Sequence, residues 1–159
     1  MFQVPFYDVR LKDGDYRASD SETAKDYVIC LQVHGDAAVS GQGVVQETLA
    51  FSQVPHFNVG GSLHLVVNNQ VGYTTPCDRA RSSRYCSDVA KTIGVPAIHV
   101  NGDDPEAVVR AARLAWNYRK TFHRDIFVDV ICFRKYDFVF HDPSQRAAHF
   151  PLTFQIWTQ

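Results

Sequence analysis

The side chains best suited to chemistry in this sequence stand at the two ends of the stretch 34–71. Asp36 at one end offers a carboxylate, and Asn69 at the other offers an amide oxygen. The turn after Asn69 adds a main-chain carbonyl, for which Val71 is the expected donor. Oxygen donors of this kind suit Mg²⁺, which completes its octahedron with phosphate oxygens and water. The pattern predicts a site for a metal-bound diphosphate; the alternative is two plain strand-end turns.

Two strands and a helix must bring these ends together. Residues 27–33 form a nearly continuous apolar run that ends at Gly35, which is typical of a strand buried on both faces of a parallel sheet. Residues 63–67 form a second run of this kind after a Gly60-Gly61 turn. The intervening helix is predicted from about Val44 to Ser52 and ends before Pro55. A βαβ unit of this kind places both polar ends at the carboxyl edge of the sheet, where ligands bind.

The remaining pattern extends the same architecture. The polar segment 72–84 is long enough to be a functional loop, and Ser87 or Asp88 can cap a short helix that ends near Gly94. Asp104 and Pro105 start a longer helix. Strands are predicted at 97–100 and 125–134. The apolar positions of the longer helix are Val108, Ala111, Ala112, Ala115 and Phe122, and Val44, Thr48 and Phe51 share one face of the first helix. The fold class is therefore α/β, a parallel sheet flanked by helices.

Both ends of the chain lack this regularity. Residues 1–26 are polar and rich in turn residues, which indicates an irregular entry segment. Residues 135–159 scatter aromatic side chains among Pro, His and Gln with no steady period, and no fold is assigned to them. The expected organisation is an irregular segment at 1–26, one domain at 27–134 and a divergent tail at 135–159.

Composition narrows the function classes. The formal net charge of −1 gives no argument for a nucleic-acid or membrane-surface partner, and no apolar run is long enough to span a bilayer. Residues 1–9 have no basic n-region, so they do not form a signal peptide, and they do not resemble a transit peptide. The four cysteines show no paired spacing, which favours reduced thiols over disulfides.

Other candidate residues have simpler interpretations. His64 and His99 fall inside strand runs and are expected to be satisfied core or edge residues, whereas His34 precedes the Gly-Asp turn and remains a weak neighbour of the ligand. Ser82 and Ser83 lie among arginines, where a solvated loop is favoured over a phosphate-handling patch. Hydrolase, NTPase and dinucleotide signatures are missing. A Mg²⁺-dependent phosphatase is disfavoured because no nucleophile is evident.

The motifs in order resemble one enzyme family, the thiamine-diphosphate-dependent E1 component of 2-oxoglutarate dehydrogenase. Its cofactor signature is Gly-Asp, about thirty residues, then Asn-Asn. The matching stretches run from about Asp13 to Arg134 and include residues 33–38, 41–43, 46–48, 67–72, 80–83, 99–101, 104–108 and 133–134. Residues 56–57, 72–76, 85–88 and 100–103 look most like the mitochondrial paralogue that prefers 2-oxoadipate. The resemblance implies the thiamine-diphosphate-binding fold, in part.

The resemblance also implies roles. Asp36, Asn69 and the carbonyl of Val71 would hold Mg²⁺, and Ala37 would join them in binding thiamine diphosphate; no catalytic residue is assigned. Such enzymes oxidatively decarboxylate a 2-oxo acid and pass the acyl group to a lipoyl-bearing E2, which works with E3 in a complex. They are homodimers, and the mitochondrial matrix is the implied location. Choosing between 2-oxoglutarate and 2-oxoadipate needs residues outside this chain.

Departures from the family pattern lead to a second hypothesis. The family's chains are several times longer, and a second domain binds the aminopyrimidine end of the cofactor. After Arg134 the family continues into Gly-His-Asn-Glu, whereas this chain reads Lys-Tyr-Asp-Phe. We therefore expect a partial gene product or an altered splice or reading frame. The alternative function is a catalytically inactive truncated fragment that associates with full-length E1 chains.

Overall fold

The structure is a computed structural model that describes residues 29–55 and 57–134, together with the backbone of residues 154–157. The strands are β1 (Cys30–Gly35), β2 (Ser62–Asn68), β3 (Val71–Gly72), β4 (Thr75–Pro76), β5 (Ala97–Asn101), β6 (Ile126–Ile131) and β7 (Phe154–Trp157). The helices are α1 (Asp36–Gly41), α2 (Gly43–Phe51), α3 (Cys77–Ala80) and α4 (Pro105–Phe122), with a 3₁₀ helix at Cys86–Ile93. The predicted irregular segment 1–26 lies outside the described residues.

A single sheet organises the described chain. Its strand order is β1-β2-β6-β5-β7, and the first four strands run parallel, which confirms the predicted α/β class. β7 pairs antiparallel with β5 and belongs to the segment 135–159, for which the sequence supported no assignment. β3 and β4 form a separate two-stranded hairpin. Because the parallel strands end at one edge, the segments that follow β1 and β2 emerge side by side.

The core lies on both faces of the sheet. On one face Val66 and Phe127 pack against side chains of α1, α2 and the 3₁₀ helix. On the other face α4 lays three alanines on the sheet. Small side chains at these positions let the helix approach the strands closely. The two clusters leave the middle strands buried on both sides, as parallel sheets require.

β1 departs from the prediction of a strand buried on both faces. Leu31 is 56% exposed and Val33 63% exposed, while the alternate residues are half-buried. Both side chains point to the face on which α4 packs. The main contacts of that helix are with β5, β6 and, to a lesser extent, β2, and β1 is not among them. The apolar run was read correctly as a strand, but its burial depends on a neighbour that the run cannot reveal.

The first helical region contains two helices where one was predicted. α1 begins directly at Asp36, and Gln42 separates it from α2. The face of Val44, Thr48 and Phe51 does not carry the packing: Val44 and Phe51 are exposed, and Leu49 with Val45 meets the core. The weak amphipathic pattern of α2 made its inward face hard to read from sequence.

α4 starts as predicted. The Asp104 carboxylate accepts a hydrogen bond of 2.9 Å from the Ala107 N–H, and Pro105 occupies the first turn. The buried face is Ala107, Ala111, Ala115 and Arg119, so placing Ala112 and Phe122 on it was wrong.

Arg119 is 1% exposed, and its Nε donates to the carbonyl of Gly61 at 3.1 Å. Gly61 has φ +82°, and a Cβ there would lie 2.4 Å from the Arg124 backbone. The predicted glycine turn before β2 is therefore confirmed, and its tight geometry excludes any other residue at position 61.

Candidate diphosphate and metal site

Strand register brings the two predicted ends of the site to one edge of the sheet. β1 and β2 pair in parallel, with Gly35 opposite Val67 at their carboxyl ends. Asp36 begins α1 immediately after β1, and Asn69 follows β2. The two oxygen-bearing side chains therefore leave neighbouring strand tips, as the spacing predicted.

The turn after β2 has a strained backbone conformation that several hydrogen bonds hold in place. Gln70 has φ 63°, a left-handed conformation that is uncommon for a residue other than glycine. The Asn68 side-chain oxygen accepts from the Gln70 N–H at 3.1 Å, and that of Asn69 accepts from the Val71 N–H at 3.1 Å. The Gln70 amide also donates to the carbonyl of Cys132 at 3.3 Å. Strain held in place by its surroundings is characteristic of functional sites.

The β3–β4 hairpin presses this turn against α1. A Cβ on Gly72 would lie 2.8 Å from the Cβ of Ala37, so only glycine permits the approach. Val71 lies opposite Pro76, and in the adjacent pair the Cys77 N–H donates to the Gln70 carbonyl at 3.1 Å. Because hydrogen-bonded and non-hydrogen-bonded pairs alternate along an antiparallel ladder, the Val71 carbonyl points away from β4. The structure thus brings Asp36, Ala37 and Val71 into one region and leaves the Val71 carbonyl without a hydrogen bond to β4.

Arg81 enters the same region from the loop after α3. Its Nη1 lies 3.3 Å from Oδ2 of Asp36, and the two side chains are 9% and 4% exposed. The Nε of Arg81 is buried with no hydrogen-bond partner. The predicted solvated loop is correct for Ser82, Ser83 and Arg84, which are exposed, but wrong for Arg81. Arg81 lies in the stretch 80–83, which resembles the E1 family, and that resemblance was the sequence signal that could have singled it out.

A second residue that sequence reasoning missed is Asp129, in the middle of β6 and 0% exposed. Its carboxylate accepts from Nδ2 of Asn68 at 3.0 Å and pairs with Nδ1 of His99 at 2.9 Å. The Cys86 thiol lies 3.7 Å away, and burial together with this carboxylate raises the pKa of that thiol. The signal was a lone acid inside an apolar strand, since a buried carboxylate requires partners. Through Asn68, Asp129 anchors the strained turn to the core.

His99 is a satisfied core residue, as predicted, whereas His64 lies in the core but its buried Nε2 has no hydrogen-bond partner. His64 is 3% exposed, stacks on Phe127 with ring centroids 4.3 Å apart, and lies 3.4 Å from Oδ1 of Asp125. His34 contacts Nδ1 of His64 through its Nε2 at 3.1 Å. Burial, followed by the charge of His64, lowers the pKa of His34. His34 therefore faces its neighbouring histidine, which does not support a direct ligand role.

The predicted helix after the polar loop is a 3₁₀ helix. Its N-cap is Tyr85, and Asp88 acts from the first turn by accepting a 3.0 Å hydrogen bond from the Tyr85 N–H. The helix ends at Gly94, as predicted. All four cysteines of the chain are free thiols, also as predicted.

A separate cavity of about 390 Å³ lies beside the 3₁₀ helix. Tyr85, Lys91, His99 and Tyr118 are among its lining residues. None of the predicted site residues lines it. The predicted diphosphate site therefore lies at the carboxyl ends of β1 and β2 and not in this cavity.

The part of the chain that the structure describes contains no group of three or more His, Cys, Asp or Glu placed to hold a metal. Within the same residues, no helix is long and apolar enough to cross a membrane.

The residues present nevertheless fit a magnesium diphosphate. Asp36 supplies a buried carboxylate, and the Asn69 amide oxygen keeps a second lone pair after accepting from the Val71 N–H. The Val71 carbonyl points away from β4. The orphaned Nε of Arg81 provides a positive group that lacks an acceptor. Hard oxygen donors beside an underpaired cation match a hard metal carrying an anion.

Comparison with known proteins decides the family. A family profile described as "Dehydrogenase E1 component" matches residues 10–149. This chain belongs to the dehydrogenase E1 component family. The human "2-oxoadipate dehydrogenase complex component E1" is 57% identical over 125 residues, which cover 79% of this chain and 14% of that protein. The zebrafish (Danio rerio) protein of the same name is 58% identical over 125 residues, with the same shares.

Relatives named for the other substrate also match. The Coxiella burnetii "2-oxoglutarate dehydrogenase E1 component" is 54% identical over 114 residues, covering 70% of this chain and 12% of that protein. The chain thus spans about 12–14% of the length of these curated E1 relatives. These results confirm the family resemblance and, with the parallel sheet, the partial thiamine-diphosphate-binding fold.

Proposed function

We propose that residues 27–134 form the diphosphate-binding domain of a 2-oxo acid dehydrogenase E1, and that this domain binds thiamine diphosphate through Mg²⁺. The observation that carries the proposal is the register of β1 and β2, which sets Asp36 beside the Asn68-Asn69 turn. Family membership supports the choice of cofactor. When bound, thiamine diphosphate supplies the electron sink for decarboxylation of a 2-oxo acid.

Each site residue has a distinct task in this proposal. Asp36 provides the charged metal ligand, and Asn69 and the Val71 carbonyl provide neutral ones. Asn68 holds the turn in its strained shape by linking Gln70 to Asp129. Ala37 and Gly72 set how closely the hairpin approaches α1. With a single carboxylate, the metal would take its other ligands from the diphosphate and water.

For a full-length E1 protein that contains this domain, we propose oxidative decarboxylation of 2-oxoadipate or 2-oxoglutarate. The acyl group would pass to the lipoyl group of an E2 partner that works with E3. Relatives named for each substrate match, which supports both. We also propose a homodimer for the longer protein and a location in the mitochondrial matrix. A Dictyostelium discoideum relative named "2-oxoglutarate dehydrogenase, mitochondrial" supports that location.

Calorimetric titration of the 159-residue chain with thiamine diphosphate and Mg²⁺ tests the binding proposal. Saturable binding that is lost in Asp36→Ala is the expected result. Asp78→Ala removes an exposed carboxylate in α3 and serves as the matched control, which should bind like the original chain. Failure of the original chain to bind, or full affinity in Asp36→Ala, would overturn the assignment.

A second candidate function is association of a catalytically inactive chain with full-length E1 chains. The observation that favours it is the uncovered apolar surface of β1 and β2, where Leu31, Val33 and Val67 are 56%, 63% and 45% exposed. Apolar side chains grouped at a sheet edge are typical of an interaction surface. Co-purification with a tagged full-length E1, abolished in a Leu31→Lys, Val33→Lys chain, is expected. A chain that stays monomeric in the mixture would contradict this function.

A further inference from the structure

We propose that Arg81 is a diphosphate-binding residue: its guanidinium contacts Asp36 and would pair with the diphosphate once a metal binds Asp36. The inference rests on the proposed function and adds to it a cationic partner for the anion. It follows from the pairing, the burial and the charge of one side chain.

Arg81 is underpaired where it lies. A guanidinium carries five N–H donors. The Nη1 of Arg81 donates to Asp36 at 3.3 Å, and the Nε of Arg81 is buried with no acceptor. Charge-assisted hydrogen bonds between such groups are normally about 2.7–2.9 Å long. The Arg81 side chain, which is 9% exposed, thus has N–H donors without acceptors.

Electrostatics indicates which ligand would complete the site. A divalent metal at Asp36 would take over the carboxylate that Arg81 contacts and would place two cations side by side. An anion that touches both removes this repulsion and gives the unused donors an acceptor. A diphosphate has enough oxygens for both tasks. Arg81 therefore favours the metal–diphosphate complex over the metal alone.

Neighbouring arginines make the assignment specific to one residue. Arg79 and Arg84 are exposed, and the Arg84 guanidinium lies over the Tyr85 ring, 5.4 Å from its centroid. Arg81 alone of the cluster at 79–84 is turned toward Asp36. Positive charge alone therefore does not identify the diphosphate-binding residue in this loop. The orientation of the Arg81 side chain toward Asp36 identifies it.

The test compares Arg81→Gln with Arg84→Gln, which removes the same charge three residues away. Calorimetric titration with thiamine diphosphate and Mg²⁺ should show affinity lowered roughly 10- to 100-fold in Arg81→Gln, the loss expected for a charged hydrogen bond. Arg84→Gln should bind like the original chain. Arg81→Lys keeps the charge without the planar fork and should fall between them. Mg²⁺ alone should bind more tightly to Arg81→Gln than to the original chain.

A second measurement avoids any loss of fold in the variants. In the original chain labelled with ¹⁵N-arginine, adding thiamine diphosphate and Mg²⁺ should shift the Arg81 Nε–H resonance and leave that of Arg84 in place. Equal losses in both glutamine variants, or an unmoved Arg81 resonance at saturation, would overturn the inference. Absence of binding by the original chain would instead reject the proposed function.

Discussion

The Nδ1 atom of His99 lies 2.9 Å from Oδ2 of Asp129, and this contact joins β5 to β6 beneath the Asn-Asn turn. Both side chains are almost fully buried, and Asn68 shares the same carboxylate at 3.0 Å. The polar centre of this sheet face is therefore one connected unit. Its integrity determines the shape of the turn that presents Asn69.

Asp129→Ala should destabilise the chain strongly, because it leaves the buried His99 and Asn68 side chains without their hydrogen-bond acceptor. We expect a loss of about 2–6 kcal/mol in the free energy of unfolding, because each of the two buried donors left without an acceptor costs about 1–3 kcal/mol. Urea unfolding followed by circular dichroism measures it. Asp103→Ala, at an exposed position, should change stability by less than about 0.5 kcal/mol. Similar losses in both variants would contradict the buried network.

Gly72→Ala should push the β3–β4 hairpin away from α1. The added Cβ would meet that of Ala37 at 2.8 Å, a clash that typically costs about 1–3 kcal/mol. Thermal unfolding should show the loss, and Mg²⁺-dependent binding of thiamine diphosphate should weaken. Adding Ala37→Gly should restore binding by removing the opposing methyl group. Gly41→Ala, where no atom lies within 4 Å of the new Cβ, is the matched control.

The Cys86 thiol should react only when the chain opens. It is 1% exposed, and burial, followed by the charge of Asp129, raises its pKa. At pH 8 both effects keep it a protonated, inaccessible thiol, whereas alkylation requires the thiolate. Iodoacetamide labelling followed by peptide mass spectrometry should modify half-buried Cys77 well before Cys86. In increasing urea, labelling of Cys86 should follow global unfolding. Rapid labelling of Cys86 in buffer would refute its burial.

Asp125 should make the chain sensitive to acid. Burial alone would raise the pKa of its carboxyl, but the close approach of His64 at 3.4 Å and a 2.9 Å hydrogen bond from the Ser62 N–H outweigh burial and leave the pKa below its usual 3.8. A lowered folded-state pKa stabilises the fold above the unfolded-state pKa, and this stabilisation disappears as pH falls through the folded value.

The free energy of unfolding should therefore fall between about pH 5 and pH 2. In Asp125→Asn the fall should be shallower, because one coupled carboxyl is gone. Urea titrations at pH 7 and pH 3 measure the difference, and an unchanged acid slope in the variant would exclude this contribution.

Much of the architecture could be read from the chain because local signals are strong there. The apolar runs at 63–67 and 97–100 and the Asp104-Pro105 start of α4 each combine composition with clear boundaries. Two parallel strands joined by a helix then place Asp36 and Asn69 at one sheet edge by geometry alone. Burial was harder to predict: Leu31 and Val33 are as apolar as any core residue, yet they stay exposed because α4 packs mainly on other strands.

The residues of the candidate site also fall into those that the sequence predicted and those that it did not. Asp36, Asn69 and Val71 were found from residue type and spacing, and their roles as ligands stay predictions. The sequence by itself determined the strands, the glycine turns and the ends of the stretch 34–71, because these depend on neighbours along the chain. Tertiary structure alone decided that Arg81 turns inward to Asp36 while Arg84 stays in solvent, and that Asp129 joins Asn68 and His99. Those outcomes depend on residues about 30 to 60 positions apart, whose meeting only the folded sheet produces.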